Sequence, residues 1–252
     1  MSAVLLAPSH IPRLDINRWI IVPWFLFSGQ EFSGPAAAQL ISSYPAPYKP
    51  LYYNDCGIYI LSTAGGAGLL KVIEELFYSG GREFYFIGSC GCLYKTGRSL
   101  YIPVQGFSTQ FYFTDAFKPD DMQITLQEYN VFYAQHVNNY LDRLYARQPF
   151  LADSRVRICS TQNVYRQTPS LYYYLRDEEV DLIDMETAAF FLFLYCRQVF
   201  GMAFQFVSDQ FINEKQVKQK IDKGSIIELI KIITAKDTDM DGYVKFVNEN
   251  VL

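Results

Sequence analysis

One unit near the amino terminus constrains the fold of this 252-residue chain more than any other part of the sequence. Residues 58–62 read as a strand, TAGGAG is a glycine-rich turn, residues 69–78 read as a helix, and residues 84–87 read as a second strand. Such a βαβ unit places its two strands parallel in one sheet, with a right-handed connection. It therefore predicts an α/β protein whose sheet is covered by helices.

The alternation of strands and helices continues along the rest of the chain. It predicts strands at residues 17–27, 100–104, 110–113, 156–159, 180–182 and 203–207, and helices at residues 36–43, 123–145 and 224–235. We therefore predict a three-layer α/β/α sandwich with a central mixed, mostly parallel sheet, which forms a single domain across residues 1–252.

Two carboxylates lie where a strand meets an apolar helix, in the stretch VDLIDMETAAFFLF at residues 180–193. The strand-like run carries Asp184, Met185 and Glu186 directly into the helix. A buried carboxylate is costly unless it has partners. The two acids at this junction are therefore candidates for binding or catalysis.

Several motifs, in their order and spacing, resemble the nucleoside phosphorylase family, which also contains nucleosidases that hydrolyse the same bond. The motifs are IIVP at residues 20–23, STAGGAGLLKVIEEL at 62–76, FIGSCGCL at 86–93, GFSTQFYF at 106–113, STQNVY at 160–165, IDMETAAF at 183–190 and VSD at 207–209. The resemblance covers roughly residues 17–235. It implies cleavage of the N-glycosidic bond of a nucleoside, with a purine as the expected base.

The resemblance also implies roles for particular residues. Breaking an N-glycosidic bond builds positive charge on the ribose and negative charge on the departing base, so the site needs an anion near the sugar and a proton donor near the base. By resemblance, Glu186 holds the ribose hydroxyls, Met185 packs under the sugar, and Asp209 protonates or hydrogen-bonds the base. In the structural alternative, Glu186 is a favourable acid at a helix start, and Ser208 and Asp209 cap a turn.

The base pocket is the next part of the resemblance. Val164 and Tyr165 fall where the family places a wall for the base, and a core position for Tyr165 is an equally good reading. Thr168 and Ser170 stand in place of the glutamine and arginine that read uracil in the family. A pyrimidine nucleoside is therefore disfavoured as the substrate.

The co-substrate side departs from the family pattern. Phosphorylases of the family bind phosphate with Gly-Asp-Pro-x-Arg after the first strand and an arginine before the second glycine turn, whereas this chain has WFLFS at residues 24–28 and Phe86. Gly65 and Ser89 remain on the phosphate or water side, and Ser89 also lies near the expected ribose position. Phosphate is the possible co-substrate, and no other cofactor is expected.

Three readings of the chemistry stay open. Water replaces phosphate, with Glu31 or His10 as candidate bases; phosphorolysis persists with unfamiliar ligands; or the chain is a non-catalytic, nucleoside-binding or structural relative. The cations that would replace the missing arginines in the second reading are Arg13, Arg18, Arg82 and Arg98.

The composition limits the partners and the compartment. A net charge of −4 and a pI near 5.3 argue against nucleic acid and favour a small-molecule nucleoside. An aromatic content of 17% predicts a homo-oligomer, because so many rings cannot all be buried in one core. Five cysteines in apolar runs predict reduced thiols and a cytoplasmic location, and the sequence has neither a signal-peptide pattern nor a predicted membrane span.

Three further motifs give weaker signals of function. Cys90-Gly91-Cys92 has no second cysteine pair, so we predict no metal site there. Residues 237–249 resemble a calcium loop, but Asn248 occupies the twelfth position, where glutamate is expected, and a solvated acidic tail is the preferred reading. The lysine-rich residues 214–223 are predicted as an exposed loop or helix face over the site entrance, with Asp222 or Lys223 in place of a family arginine that assists the acid.

Overall fold

The computed structural model describes residues 11–32, 39–44, 49–94, 99–111, 124–129, 155–161, 169–212 and 215–235. The strands are β1 (Arg18–Pro23), β2 (Gln39–Leu40), β3 (Leu51–Tyr53), β4 (Cys56–Leu61), β5 (Glu83–Cys92), β6 (Leu100–Phe111), β7 (Ile124–Tyr129), β8 (Arg155–Ser160), β9 (Leu182–Asp184), β10 (Phe200–Ile212) and β11 (Lys215–Lys218). The helices of these segments are α1 (Gly66–Tyr78), α2 (Pro169–Asp177), α3 (Thr187–Arg197) and α4 (Lys223–Thr234).

All of these strands belong to one mixed sheet, in the order β11-β10-β6-β8-β9-β5-β1-β4-β3-β2, with β7 paired to β6. Its centre is parallel, because β5 pairs in parallel with both β1 and β10, and β1 pairs in parallel with β4. The predicted βαβ unit is therefore present as β4-α1-β5. Strand β1 lies between its two strands.

A second pairing closes part of the sheet into a ring. Strand β10 pairs with β6 on one side and with β5 on the other, so β5, β9, β8, β6 and β10 form a closed circuit. One buried cluster takes side chains from all five strands: Cys90, Cys92, Tyr101, Val156, Ile158, Leu182 and Val207. The sequence analysis did not predict this closure, because strand order depends on pairings between distant segments.

One face of the sheet packs against α1 and α3. Phe84 and Phe86 of β5 point to this face, since their rings lie 5.2 Å from that of Phe193 and 5.8 Å from that of Phe190, both in α3. Helix α1 packs beside α3. These contacts belong to the main hydrophobic core.

The opposite face packs against α4. Side chains alternate along a strand, so Glu83 of β5 points away from the face that carries Phe84. Glu83 forms an ion pair of 3.0 Å with Arg18, and the Arg18 guanidinium donates to the backbone carbonyl oxygen of Ile233 in α4 at 2.8 Å. Helices therefore cover both faces of a mixed sheet, and the predicted α/β/α sandwich is confirmed.

Several elements differ from the sequence predictions. Residues 124–129, expected at the start of a long helix, form strand β7, which pairs antiparallel with β6 along its whole length; residues 130–145 lie outside the described part. Residues 39–40 are a strand rather than helix, and residues 100–111 form one strand rather than two. Residues 215–218 form an exposed strand, not a loop or helix face, and α2 was not predicted.

Within the described segments, no helix is long and apolar enough to span a membrane.

Candidate functional site

A cavity of about 190 Å³ opens beside the centre of the sheet. Its lining comes from the carboxyl end of β1, the β4-α1 turn, the second half of β5, the end of β9, the start of α3 and the β10-β11 hairpin. Open α/β sheets bind ligands at the carboxyl ends of their strands. The cavity is therefore placed where a binding site is expected in this architecture.

The structure brings most of the predicted site residues to this cavity. Ser89, Met185, Glu186 and Asp209 line it; Gly65 is not part of the lining, but its backbone N–H donates to Glu186. The residues expected to form the base wall, Val164 and Tyr165, lie outside the described residues.

Asp184, at the end of β9, is surrounded by hydrogen-bond donors. Its Oδ1 accepts from the Ser160 hydroxyl at 2.5 Å, and its Oδ2 accepts from the Thr187 backbone N–H at 2.9 Å, the Thr187 hydroxyl and the Gln205 amide at 3.3 Å. Burial raises the pKa of Asp184, while the bonds from Ser160 and Thr187 act in the opposite direction. Asp184 is therefore the acid that caps the first turn of α3.

Glu186 occupies the N-cap position of α3 but makes no side-chain capping bond. Its carboxylate turns toward α1 and accepts hydrogen bonds from the backbone N–H groups of Gly65 and of Met185, the latter at 3.3 Å. Burial raises the pKa of Glu186 to about 7, and the nearby charge of Asp184 adds to the rise. This carboxyl group therefore changes charge near neutral pH.

Two glycines allow the starts of α1 and α3 to meet at this point. Gly65 has a φ of 101°, a conformation that side chains disfavour, and it precedes the first turn of α1. A Cβ on Gly66 would lie 2.8 Å from the Cβ of Ala189 in α3, so a larger residue would separate the helices. We call Gly65, Met185 and Glu186 the helix-start wall of the cavity.

Asp209 lies in strand β10 next to a β-bulge. The register of β10 against β5 shifts between Val207 and Asp209, which leaves Ser208 as the extra residue. The Ser208 hydroxyl lies 2.7 Å from Asp209 Oδ2 and 3.2 Å from the carbonyl oxygen of Cys90. Bulges re-aim side chains near functional sites. The alternative in which Ser208 and Asp209 cap a turn is wrong, because both lie within a strand.

Sequence reasoning missed two residues of the lining, Phe211 and Gln216. Phe211 lies two residues after Asp209 in β10, so the alternation of a strand would have placed both on one face. Gln216 pairs with Phe211 across the hairpin, and no sequence signal pointed to it because β11 was not recognised. We call Asp209, Phe211 and Gln216 the hairpin wall.

The co-substrate side of the cavity is apolar or neutral. Pro23 and Phe25 line it together with Thr63, Ala64 and Ser89, and the described lining includes no lysine or arginine. The indole of Trp24 does not line the cavity and is 62% exposed.

The cations considered as replacements for the phosphate-binding arginines have other contacts. Arg18 pairs with Glu83 at the amino ends of the strands, and Arg82 donates to the carbonyl oxygens of Phe77 and Gly81. Arg13 does not line the cavity, while Arg98 and His10 lie outside the described residues. Phe86 is fully buried against α3.

Two further candidates are placed in structural roles. Glu31, considered as a base for water, accepts from the Ser28 backbone N–H at 3.1 Å and lies outside the cavity lining. Asp222 caps α4 by accepting from the Ser225 N–H at 2.9 Å, and Lys223 lies 3.9 Å from Glu31. Neither Asp222 nor Lys223 lines the cavity as a partner for Asp209.

The described residues contain no group of three or more His, Cys, Asp or Glu side chains placed to hold a metal ion. The possible calcium loop at residues 237–249 lies outside the described part of the chain.

Comparison with solved structures finds the same fold in enzymes that act on nucleosides and nucleotides. Purine nucleoside phosphorylase from Toxoplasma gondii, in complex with immucillin-H, is 16% identical with a TM-score of 0.56, over 92% of this chain and 89% of that chain. AMP nucleosidase from Bacteroides thetaiotaomicron is 14% identical with a TM-score of 0.56, over 94% of this chain and 92% of that chain. The 5'-methylthioadenosine/S-adenosyl homocysteine nucleosidase of Helicobacter pylori is 14% identical with a TM-score of 0.55, over 94% and 100%.

No curated protein matches the sequence. The sequence model of the phosphorylase superfamily matches residues 66–229, which is more than half of the chain and contains most of the cavity lining. This match agrees with the resemblance in the sequence motifs and with the shared fold. The chain belongs to the phosphorylase superfamily.

Proposed function

We propose that this chain cleaves the N-glycosidic bond of a purine nucleoside and that water is the acceptor of the ribosyl group. The observation that carries the proposal is the placement of Glu186 and Asp209 on two walls of one cavity. Strand β10, which carries Asp209, and strand β1 lie on either side of β5. These three strands therefore span about 10 Å across the sheet at the cavity. That span accommodates a sugar and a base side by side.

On the sugar side, Glu186 is fixed by two backbone N–H groups rather than by flexible side chains. A fixed carboxylate can orient ribose hydroxyls and stabilise the positive charge that develops on the ring, without reorganisation during the reaction. Asp184, which is buried and also lines the cavity, adds negative potential near Glu186. Met185 lines the cavity beside them, as a packing surface for the sugar.

On the base side, Asp209 supplies the proton or hydrogen bond that the departing purine needs. The Ser208 hydroxyl, 2.7 Å from Asp209 Oδ2, orients the carboxyl group. Proton donation to a leaving group by a positioned acid contributes about 10²- to 10⁴-fold to such reactions. In this proposal, the helix-start wall supplies the anion near the sugar and the hairpin wall supplies the acid near the base.

The acceptor is inferred from the character of the third side of the cavity. Members of this family need no cofactor, and phosphate is the co-substrate of its phosphorylases. A phosphate dianion is best held by arginine forks and positive charge. Pro23 and Phe25 offer neither, whereas the hydroxyls of Thr63 and Ser89 can hydrogen-bond a water molecule.

The test is incubation of the purified protein with inosine or adenosine, with and without phosphate. We expect free ribose and free base in equal amounts, at a rate that phosphate does not change. Ribose-1-phosphate formed only with phosphate would instead identify a phosphorylase. Unchanged nucleoside in both cases would favour the alternative, a non-catalytic nucleoside-binding relative.

We further propose that the chain is a single domain that acts in the cytoplasm as a homo-oligomer. Cys56, Cys90, Cys92 and Cys159 are buried free thiols, as in proteins of a reducing compartment. Trp24 and Tyr195 are large exposed aromatic residues of the kind that subunit contacts cover. Size-exclusion chromatography with light scattering measures the assembly.

A further inference from the structure

The β10-β11 hairpin presents an ordered set of side chains to the cavity. Asp209 and Phe211 are two residues apart on β10, so they point to the same face. Gln216 lies directly across the hairpin from Phe211 in the antiparallel register. All three side chains line the cavity. An acid, an aromatic ring and an amide therefore form one continuous wall.

The ring of Phe211 is held in place from behind. The ring of Tyr172, in α2, lies 4.1 Å from it between centroids at an interplanar angle of 35°. On another side, a Cβ on Gly91 would lie 2.7 Å from Phe211 Cε2, so the ring occupies space that only glycine leaves open. Phe211 and Tyr172 also pack against the small apolar core formed by α2, β8 and β9. The fold thus fixes the ring before any ligand arrives.

We propose that Phe211, backed by Tyr172, is the surface on which the heterocyclic base stacks, and that Gln216 contacts the edge of that base. The proposal rests on the proposed nucleoside function and names the residues that select its base. Side chains two residues apart on a strand are separated by about 6.7 Å, close to the length of a bicyclic base. A base that hydrogen-bonds to Asp209 therefore covers Phe211.

The chemistry of Gln216 suits the edge of a purine. An amide side chain has both a donor and an acceptor, so it can pair with a ring nitrogen or an exocyclic group. The expected base wall at Val164 is aliphatic at its first position. An aromatic platform on the hairpin supplies the stacking that an aliphatic residue lacks.

Phe25, the other aromatic ring in the described lining, is less suited to this task. It follows β1, which is separated from β10 by β5, so it lies on the side of the cavity away from Asp209. Its side chain is 46% exposed, and its ring partner is the still more exposed Trp24. Nothing comparable to the pairing of Phe211 with Tyr172 holds this ring among the described residues.

The test is the affinity of free adenine and hypoxanthine, measured by calorimetry, for the wild type and for Phe211→Leu. Leucine keeps the apolar volume and removes the stacking face, so we expect about five- to tenfold weaker base binding. KM for the nucleoside should rise by the same factor, with kcat changed much less. Phe211→Tyr should keep the wild-type affinity, because it keeps an aromatic face with little added volume.

Phe200→Leu is the matched control, since it makes the same change at the other end of β10, away from the cavity. It should bind both bases as the wild type does. Gly91→Ala provides a second route to the ring: its methyl group should displace Phe211 and weaken base binding, with no change to Phe211 itself. Gln216→Ala should change the ratio of the adenine and hypoxanthine affinities.

The outcomes separate this proposal from the proposed function. If the wild type binds purine bases through Phe211 but releases no ribose, the result supports the stacking surface and refutes the proposed catalysis. In a second outcome, the wild type cleaves nucleosides and a folded Phe211→Leu variant binds bases and substrate as tightly as the wild type. This outcome would refute the stacking surface alone. A wild type that neither binds purine bases nor releases ribose would refute both.

Discussion

The helix-start wall and the hairpin wall hold their polar groups by different means. In the helix-start wall, Glu186 is fixed by backbone N–H groups at a place where two helix starts touch. In the hairpin wall, the side chains are placed by strand register and a bulge, and Gln216 lies on a strand whose residues are all exposed. The comparison indicates that Glu186 is held by the backbone of two helix starts, whereas the hairpin wall combines an exposed residue, Gln216, with a ring, Phe211, that packs against Tyr172.

The same contrast holds between two acids only two residues apart. Asp184 accepts four hydrogen bonds and starts helix α3, while Glu186 accepts two and faces the cavity. Burial raises the pKa of both carboxyl groups. Asp184 therefore stabilises the junction, whereas Glu186 has fewer partners and is the acid that we propose contacts the ligand.

The largest expected effect belongs to the hairpin wall. Asp209→Asn removes the proposed proton donor but leaves the strand intact, so kcat/KM for inosine should fall about 10²- to 10⁴-fold with little change in melting temperature. 7-Methylguanosine, whose base already carries a positive charge, should be affected far less. Equal losses on both substrates would contradict a proton-donating role for Asp209.

Asp184→Ala should have the largest effect on stability. It leaves the Ser160 hydroxyl and the N–H and hydroxyl of Thr187 without their acceptor, so the free energy of unfolding should fall by about 2–4 kcal/mol. Denaturant unfolding measures the loss. Asp184→Asn keeps acceptor oxygen for the α3 cap and should lose less, and an equal loss in both variants would argue against the capping role.

Glu186→Gln should change stability in the opposite direction. The folded-state pKa of about 7 exceeds the ordinary value of 4.5, so the folded chain binds this proton more tightly than the unfolded chain does. Stability from this group is therefore present at low pH and is lost as the pH rises from 4.5 to about 7. At 1.36 kcal/mol per pKa unit, Glu186→Gln should be up to about 3 kcal/mol more stable than wild type above pH 7. If the difference in stability between Glu186→Gln and wild type persists at acidic pH, its cause is not the ionisation of Glu186.

The last expected effect is a pH dependence of activity. If ionised Glu186 stabilises the cationic sugar, kcat/KM should fall about tenfold per pH unit below a pKa of about 7. The profile is measured from about pH 5 to pH 9 with a substrate that does not titrate in this range. Glu186→Gln should have a much lower kcat/KM without this limb. If the acidic limb of the pH profile is still present in Glu186→Gln, it reports the titration of another group.

Local sequence signals predicted the elements that carry most of the site. The glycine turn before α1, the strand β5 and the junction before α3 were all placed from their residues, with ends that differ by a few positions. The signals failed at β7 and β11, which are short, partly polar strands. Pairing with β6 and β10 decides their conformation, and the local sequence of β7 or β11 does not indicate which strand it pairs with.

By itself, the sequence determined that helices cover a mixed sheet and that an acid enters a helix at residues 184–186, because hydrophobic period, glycine turns and the collinear motifs are local properties. Only the tertiary structure decided which acid became a cap and which faced the cavity, because that depends on the donors that arrive from β8 and from the start of α1. It also closed the five-strand ring and aligned Phe211 and Gln216 beside Asp209. Strand register sets these neighbours, and register follows from the packing of the whole sheet.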